Sequence, residues 1–175
     1  MLVYLDTNII LARYAPNEVH HEEAKELLNK IENGNFSAVT SVLTLIEVAC
    51  TTSRAYERYN HKLGELGREE VAGAFLRRVL KIKKLAFIPI GGEVSVNAEE
   101  AHVELPALFA LALEIGSKTG VKTLDTLHLA SAAIAARIYG QKIDYFVTLD
   151  EDILKRREAI NNLIESRVVS LSEKF

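Results

Sequence analysis

The chain has 175 residues, of which 49% are hydrophobic and 26% are charged. This balance excludes a mainly disordered or fibrous protein and predicts one globular domain over residues 1–175. The formal net charge of −3 excludes the overall basicity typical of many nucleic-acid-binding proteins, so a nucleic-acid partner would need a local basic patch.

Strands and helices alternate along the predicted secondary structure. Short apolar runs predict strands over residues 2–5, 36–40, 85–90, 145–149 and 168–171. Apolar residues at helical spacing, with capping residues at the ends, predict helices over residues 9–14, 21–33, 41–58, 69–84, 106–115, 123–139 and 151–161. This alternation predicts a three-layer α/β/α fold with a central, mainly parallel sheet.

Two aspartates directly follow predicted strands. Asp6 follows the first strand, and Asp150 follows the strand over residues 145–149. Because sites in open parallel sheets form at the carboxyl ends of the strands, we expect these carboxylates to be neighbours. Each position also has a structural explanation: Asp6 is suited to cap the next helix, and Thr148 with Glu151 has the spacing of a capping box.

Glu47 lies in a predicted helix that is otherwise apolar nearly all round, which indicates a buried helix. The residues one turn away on either side carry no positive charge. An unpaired buried carboxylate is costly, so it becomes protonated, finds a distant partner or binds a metal ion. We expect a metal-binding role, and a salt bridge to a distant arginine is the structural alternative.

Asp125 lies near the start of another apolar helix, where a first-turn acid is also favourable against the helix dipole. His128 follows three residues later on the same helical face. There it could hydrogen-bond to Asp125 or take part in chemistry. We interpret His128 as a partly buried histidine whose hydrogen bonds are satisfied.

Four carboxylates together make a candidate acidic site: Asp6, Glu47, Asp125 and Asp150. Oxygen ligands without a cluster of Cys or His residues favour Mg²⁺ or Mn²⁺ over zinc. Several negative charges in one place also need a cation to be stable. Such sites activate water and hold a phosphodiester during in-line attack.

Four ordered sequence blocks resemble the signature motifs of PIN-domain nucleases, and the VapC-type toxin ribonucleases and their archaeal relatives are the most similar group. The blocks are residues 5–8, Glu47 on a helix after a strand, residues 124–132 and residues 147–150. The resemblance implies a parallel sheet flanked by helices, a pocket for Mg²⁺ or Mn²⁺ and metal-dependent cleavage of RNA.

The resemblance also implies roles for individual residues. The positions that ligate metal and position water are matched by Asp6, Glu47, Asp125 and Asp150. Asn8 and Thr148 match polar positions that support the pocket, and Asp152 is an additional acid that could act with Asp150. The expected partners are an RNA substrate, a small antitoxin protein and a second copy of the chain in a homodimer.

A basic segment covers residues 54–84, with nine basic against four acidic side chains and hence a net charge of +5. Three of its residues, Arg77, Lys81 and Lys84, recur at i, i+4 and i+7, so one helical face could follow an RNA backbone. The alternative is a solvated face. The predicted RNA-binding residues are Arg54, Arg58, Arg77, Lys81 and Lys84.

Other functions stay open from the sequence. A noncatalytic PIN fold that binds RNA or serves as a scaffold is one, although all four acids are present, and a housekeeping RNA-processing nuclease would share the same motifs. A phosphatase with an aspartyl nucleophile fits less well, because Asn8 occupies the second position of the Asp-x-Asp motif that it needs.

The cysteine content and the apolar runs bear on location. The single cysteine, Cys50, lies in an apolar run and is predicted to be a buried, reduced thiol, as expected in the cytoplasm. Asp6 interrupts the N-terminal apolar residues before they form a signal peptide. The longest apolar stretch, residues 105–113, is about half as long as a membrane span. We expect a soluble, cytoplasmic protein without a membrane partner.

Overall fold

The structure, a computed structural model, describes residues 1–57, 66–98 and 101–173. The strands are β1 (Leu2–Leu5), β2 (Ser37–Ser41), β3 (Leu85–Ile88), β4 (Glu93–Ala98), β5 (Ala101–Pro106), β6 (Tyr145–Thr148) and β7 (Arg167–Ser170). The helices are α1 (Thr7–Arg13), α2 (His21–Glu32), α3 (Leu43–Arg54), α4 (Arg68–Leu80), α5 (Ala107–Thr119), α6 (Thr123–Arg137), α7 (Glu151–Lys155) and α8 (Arg157–Ile164). Within the described residues, no helix is both long and apolar enough to cross a membrane.

A parallel sheet of five strands forms the centre of the fold, in the order β3-β2-β1-β6-β7. Helices cover both of its faces, so the predicted three-layer α/β/α fold is confirmed. Strand β1 lies in the middle, between β2 and β6. The residues that follow these three strands therefore meet at one edge of the sheet, which we call the carboxyl edge.

Successive residues of β1 point to opposite faces of the sheet. Tyr4 is buried among residues of α5, α6 and α8, whereas Val3 and Leu5 are buried among residues of α1, α2 and α4. This burial on both faces explains why β1 is a continuous apolar run and does not alternate with polar residues.

The antiparallel hairpin of β4 and β5 is absent from the sequence prediction. Its signal is the alternation of apolar and polar residues over 93–98, which is typical of a half-exposed strand. The prediction that Pro106 lies in the first turn of a helix is wrong by one residue, because Pro106 ends β5 and is the N-cap of α5.

Several predicted helices differ in extent from those in the structure. Helix α4 ends at Leu80, and Lys84 has a φ of 63°, a left-handed conformation that cannot continue a helix. The segment predicted as one helix over residues 151–161 is interrupted at Arg156, which separates α7 from α8. Helix α3 also ends earlier than predicted, at Arg54 with Ala55 as its C-cap, and the predicted end, Arg58, lies outside the described residues.

The prediction that α3 is buried all round is wrong. Ile46 is 61% exposed, and the Cys50 thiol is exposed as well. Only one side of α3 packs on the sheet and its neighbours, through residues such as Leu43 and Val48. The apolar composition of α3 therefore does not show which of its residues are buried.

Candidate active site

The carboxyl edge brings together the N-terminal turns of four helices. Helices α1, α3 and α7 follow β1, β2 and β6, and α6 runs back towards the start of β6, so its first turn lies at the same edge. Asp6 and Asp150 are the N-cap residues of α1 and α7. Glu47 lies in the second turn of α3, and Asp125 lies in the first turn of α6.

Three donors hold the Asp6 carboxylate. The Thr7 backbone N–H donates to Oδ1 over 2.7 Å, while Asn8 Nδ2 and Thr148 Oγ1 donate to Oδ2 over 2.8 and 2.6 Å. Burial raises the pKa of Asp6, and the nearby His128 and the Thr148 hydroxyl offset only part of this rise. Asp6 therefore caps α1, and Asn8 and Thr148 fix its orientation.

Glu47 has a partner that the sequence analysis does not identify. His128 Nε2 lies 2.6 Å from Glu47 Oε2, and the Thr7 hydroxyl donates to the same oxygen. The side chain of Glu47 is only 17% exposed, which by itself raises its pKa, but His128 and Thr7 outweigh this effect and lower the pKa below its ordinary value. Among the described residues, the partner is thus a histidine and not the arginine of the structural alternative.

His128 is fully buried, and it does not bond to Asp125 as the helical spacing allowed. Its Nδ1 lies 2.7 Å from the Tyr4 hydroxyl, and its Nε2 contacts Glu47. The sequence carries a weak signal for this pair, because an acid and a histidine each lie in a mostly apolar helix and each needs a buried partner. Nothing in the spacing indicates that the two helices meet.

One ligand atom from each of Asp6, Glu47 and His128 lies within 4.8 Å of the other two. The two carboxylates supply the oxygen ligands that Mg²⁺ and Mn²⁺ prefer, so the residues present fit a cation of this kind. The nitrogen of His128 that faces this group is already occupied by Glu47. We therefore regard the carboxylate oxygens, which can accept hydrogen bonds and still bind a cation, as the atoms available to the ion.

Asp125 and Asp150 lie beside this group of three. Burial, followed by repulsion from Asp150 and Asp6, raises the pKa of Asp125 to about 6, although Lys122 acts in the opposite direction. Asp150 Oδ1 accepts hydrogen bonds from the backbone N–H groups of Asp152 and Ile153, over 2.8 and 3.0 Å. Asp150 is therefore itself the cap of α7, and the capping box suggested by the sequence is not formed with Glu151.

The family of the chain follows from the comparison with known proteins. The PIN domain family model matches residues 3–159, which is most of the chain. The chain belongs to the PIN-domain family. This confirms the resemblance that the four sequence blocks carry.

Two solved structures share the fold of this PIN domain. A chain of the VapBC2 complex of Rickettsia felis, bound to a promoter DNA fragment, has a TM-score of 0.58 and 12% identity, with 97% of this chain and 98% of that chain covered. A chain of a toxin-antitoxin complex from Klebsiella pneumoniae has a TM-score of 0.51 and 15% identity, with 98% and 99% covered. No curated protein matches the sequence.

Asp152 of this PIN domain is held by cations and does not belong to the group of three. Its carboxylate lies 3.4 Å from Lys122 Nζ and 3.7 Å from Arg156 Nη1. Since Lys122 also lowers the pKa of Asp125, positive charge from the chain itself partly compensates this side of the acidic site.

The predicted RNA-binding residues do not lie on one helical face. Lys84 directly precedes β3, so it lies at the amino edge of the sheet, opposite the acids, and Arg77 and Lys81 lie at the nearby end of α4. The prediction that these three residues share one helical face is therefore wrong, because Lys84 lies beyond the helix.

Arg54 lies nearer to the acids than these residues do along the chain. It is exposed and follows Glu47 by seven residues in α3, which places both on one side of that helix. Arg58 lies outside the described residues.

Asp125 makes the metal-free protein less stable as the pH rises. The pKa of Asp125 is about 6 in the folded chain and 3.8 ordinarily. Between these values the folded state binds more protons than the unfolded state, so the free energy of unfolding falls as the pH rises through this window. We expect Asp125→Asn to raise the Tm of chelator-treated protein above about pH 6 but not below about pH 4, as measured by circular dichroism.

A matched control is Glu26→Gln, which removes an exposed acid paired with Lys30 and should not raise the Tm at either pH. Equal Tm values for wild type and Asp125→Asn at both pH values would contradict the repulsion described for Asp125.

Proposed function

We propose that this PIN domain is an endoribonuclease that depends on a divalent metal ion. The observation that carries the proposal is the convergence of Asp6, Glu47, Asp125 and Asp150 at the carboxyl edge, where burial, followed by repulsion from Asp150 and Asp6, raises the pKa of Asp125 to about 6. Perturbed carboxylates that gather in this way are typical of functional sites.

Asp6 and Glu47 are the residues proposed to hold Mg²⁺ or Mn²⁺, with Asp125 and Asp150 beside them. When bound, the ion supplies Lewis-acid stabilisation of the phosphate and lowers the pKa of water. Asn8 and Thr148 keep Oδ2 of Asp6 in place, because both donate to that atom. Fixed ligands lower the entropic cost of assembling the site at the moment of reaction.

Hydrolysis requires that a water molecule lose a proton while its oxygen attacks phosphorus and the bond from phosphorus to the leaving ribose oxygen breaks. Asp125 is a half-buried carboxylate beside the proposed ligands Asp6 and Glu47, so it can lie within reach of a water molecule at the ion. We propose that Asp125 positions the attacking water and accepts this proton.

We further propose that the nuclease is the toxin of a toxin-antitoxin pair, with a small antitoxin protein as its partner. Support comes from the two structures of similar fold, which are described as a VapBC2 complex and a toxin-antitoxin complex. The homodimer and the cytoplasmic location expected from the sequence stay predictions.

The first test is metal-dependent cleavage. Purified protein should cut RNA internally in Mg²⁺ or Mn²⁺, and excess chelator should abolish cleavage. Asp6→Asn and Glu47→Gln should each reduce the rate more than about 100-fold, because an amide keeps the size of the side chain and loses the charge that attracts the ion. Gel analysis of end-labelled RNA measures the rate, with Glu26→Gln as the control for an exposed acid.

Two results would contradict this proposal. Cleavage that persists in excess chelator rules out dependence on the ion. Absence of both Mn²⁺ binding and cleavage, across varied RNAs, would favour the noncatalytic PIN fold that binds RNA or serves as a scaffold.

The toxin proposal has its own test in cells. Expression of the chain should arrest growth, Glu47→Gln should not, and co-expression of a small protein encoded beside the chain should relieve the arrest. Colony counts after induction measure all three. Cleavage in vitro without growth arrest would instead favour a housekeeping RNA-processing nuclease.

The basic segment should affect the salt dependence of RNA binding. Replacement of Arg77, Lys81 and Lys84 by alanine should reduce the slope of log K against log salt by about 2, since each phosphate contact contributes about 0.7 on a single strand. Because these residues lie at the amino edge, the reduction should require a long RNA and vanish for a short oligonucleotide bound at the acids. Filter binding over a salt series measures the slope for the long RNA and for the short oligonucleotide. An unchanged slope with long RNA would show that these three basic side chains form only a solvated face.

A further inference from the structure

We propose that His128 is a positioning residue for Glu47: its Nε2–H holds Oε2 in place and leaves Oε1 as the oxygen available to a cation. This inference rests on the proposed function and adds a residue to the machinery of the same site. It starts from the distribution of the hydrogen bonds around the Glu47 carboxylate.

Both hydrogen bonds of Glu47 end on the same oxygen. His128 Nε2 lies 2.6 Å from Oε2, and the Thr7 hydroxyl donates to Oε2 as well. Within the described chain, no hydrogen-bond donor is recorded for Oε1. When the hydrogen bonds to a carboxylate all go to one oxygen, the other oxygen points in a fixed direction. A ligand to a cation requires such a fixed direction.

The imidazole of His128 is itself held from the opposite side. The Tyr4 hydroxyl lies 2.7 Å from Nδ1 of His128. The same hydroxyl accepts a hydrogen bond from the Ser41 backbone N–H over 3.2 Å. The Tyr4 ring stacks on Phe146, with centroids 4.8 Å apart and planes 9° apart. Since both ring nitrogens of His128 are engaged, the ring cannot turn without breaking a buried hydrogen bond.

This arrangement connects three elements that carry the site. Tyr4 belongs to β1, which places Asp6, and His128 belongs to α6, which places Asp125. Glu47 belongs to α3, and its hydrogen bonds among the described residues are to His128 of α6 and to Thr7 of α1, the helix that follows β1. His128 therefore fixes the position of Glu47 relative to the other acids.

Stability alone does not require a histidine here. Replacement of both partners of a buried polar pair by apolar side chains is often neutral or stabilising, whereas removal of one partner destabilises the fold. A purely structural role therefore predicts that metal binding follows the loss of stability and does not depend on whether the new side chain carries a donor. A positioning role predicts that metal binding depends on a hydrogen-bond donor at the place of Nε2. Glutamine can supply a donor near that place, whereas leucine cannot.

The experiment measures Mn²⁺ binding to the full chain by electron paramagnetic resonance, together with RNA cleavage. We expect His128→Leu to weaken Mn²⁺ binding about 10- to 100-fold, His128→Gln to recover most of the loss, and Tyr4→Phe to cause a smaller one. For cleavage, kcat should fall while KM for RNA stays unchanged, because His128 is buried and does not contact the RNA. His20→Gln, a change to an exposed histidine paired with Glu23, is the control.

Several outcomes overturn the proposal. A folded His128→Leu variant that binds Mn²⁺ as wild type does would show that His128 is only structural, while the proposed function would stand. If His128→Leu does not fold, a folded His128→Gln variant that binds Mn²⁺ as weakly as Glu47→Gln does would show that a donor near the place of Nε2 is not sufficient, which also overturns the proposal.

The electron-spin-echo spectrum of the Mn²⁺ complex gives a separate outcome. Nitrogen coupled directly to Mn²⁺ in wild type, and lost in His128→Gln, would make His128 a ligand and overturn its positioning role. Failure of wild type to bind Mn²⁺ at all would overturn this inference and the proposed function together, whereas failure of the variants to differ affects the inference alone.

Discussion

Carboxylates that a parallel sheet brings to one edge repel one another, and the donors around each of them decide how much of this repulsion remains. Asp6 receives three hydrogen bonds and Glu47 two, and a histidine adds positive character beside both. Among the described residues, none donates a hydrogen bond to the Asp125 carboxylate, and burial, followed by repulsion from Asp150 and Asp6, raises its pKa to about 6. The site is thus incompletely neutralised by the protein itself, which is the electrostatic condition that favours a bound cation.

Hydroxyl groups connect the elements that carry these acids. The Thr7 hydroxyl lies 3.1 Å from that of Thr44, which lies 2.6 Å from that of Thr40, and Thr40 donates to the Leu5 carbonyl over 2.8 Å. This buried chain joins β1, α1, β2 and the first turn of α3. Buried hydroxyls are costly without partners, so these hydrogen bonds restrict how α3 can pack on the sheet. They therefore restrict the direction in which Glu47 points.

Part of the positive charge of the described chain lies apart from the acids. Arg77, Lys81 and Lys84 lie towards the amino edge of the sheet. In contrast, Arg54 lies on α3 with Glu47, and Lys122 is the N-cap of α6, which carries Asp125. A bound polyanion would therefore meet two regions of different character, a basic end of α4 and an acidic carboxyl edge. This separation follows from the course of α4, which returns the chain to the start of β3.

The sequence by itself determined the parallel sheet, the positions of its strands and the acids that follow them, because a strand buried on both faces is a continuous apolar run and the residue after it necessarily lies at the carboxyl edge. It did not determine the contact between Glu47 and His128, the exposure of Ile46 and Cys50, or the end of α4 before Lys84. Those features depend on which helices pack together and at what angle. Such contacts join residues 81 positions apart, as Glu47 and His128 are, and local spacing carries no information about them.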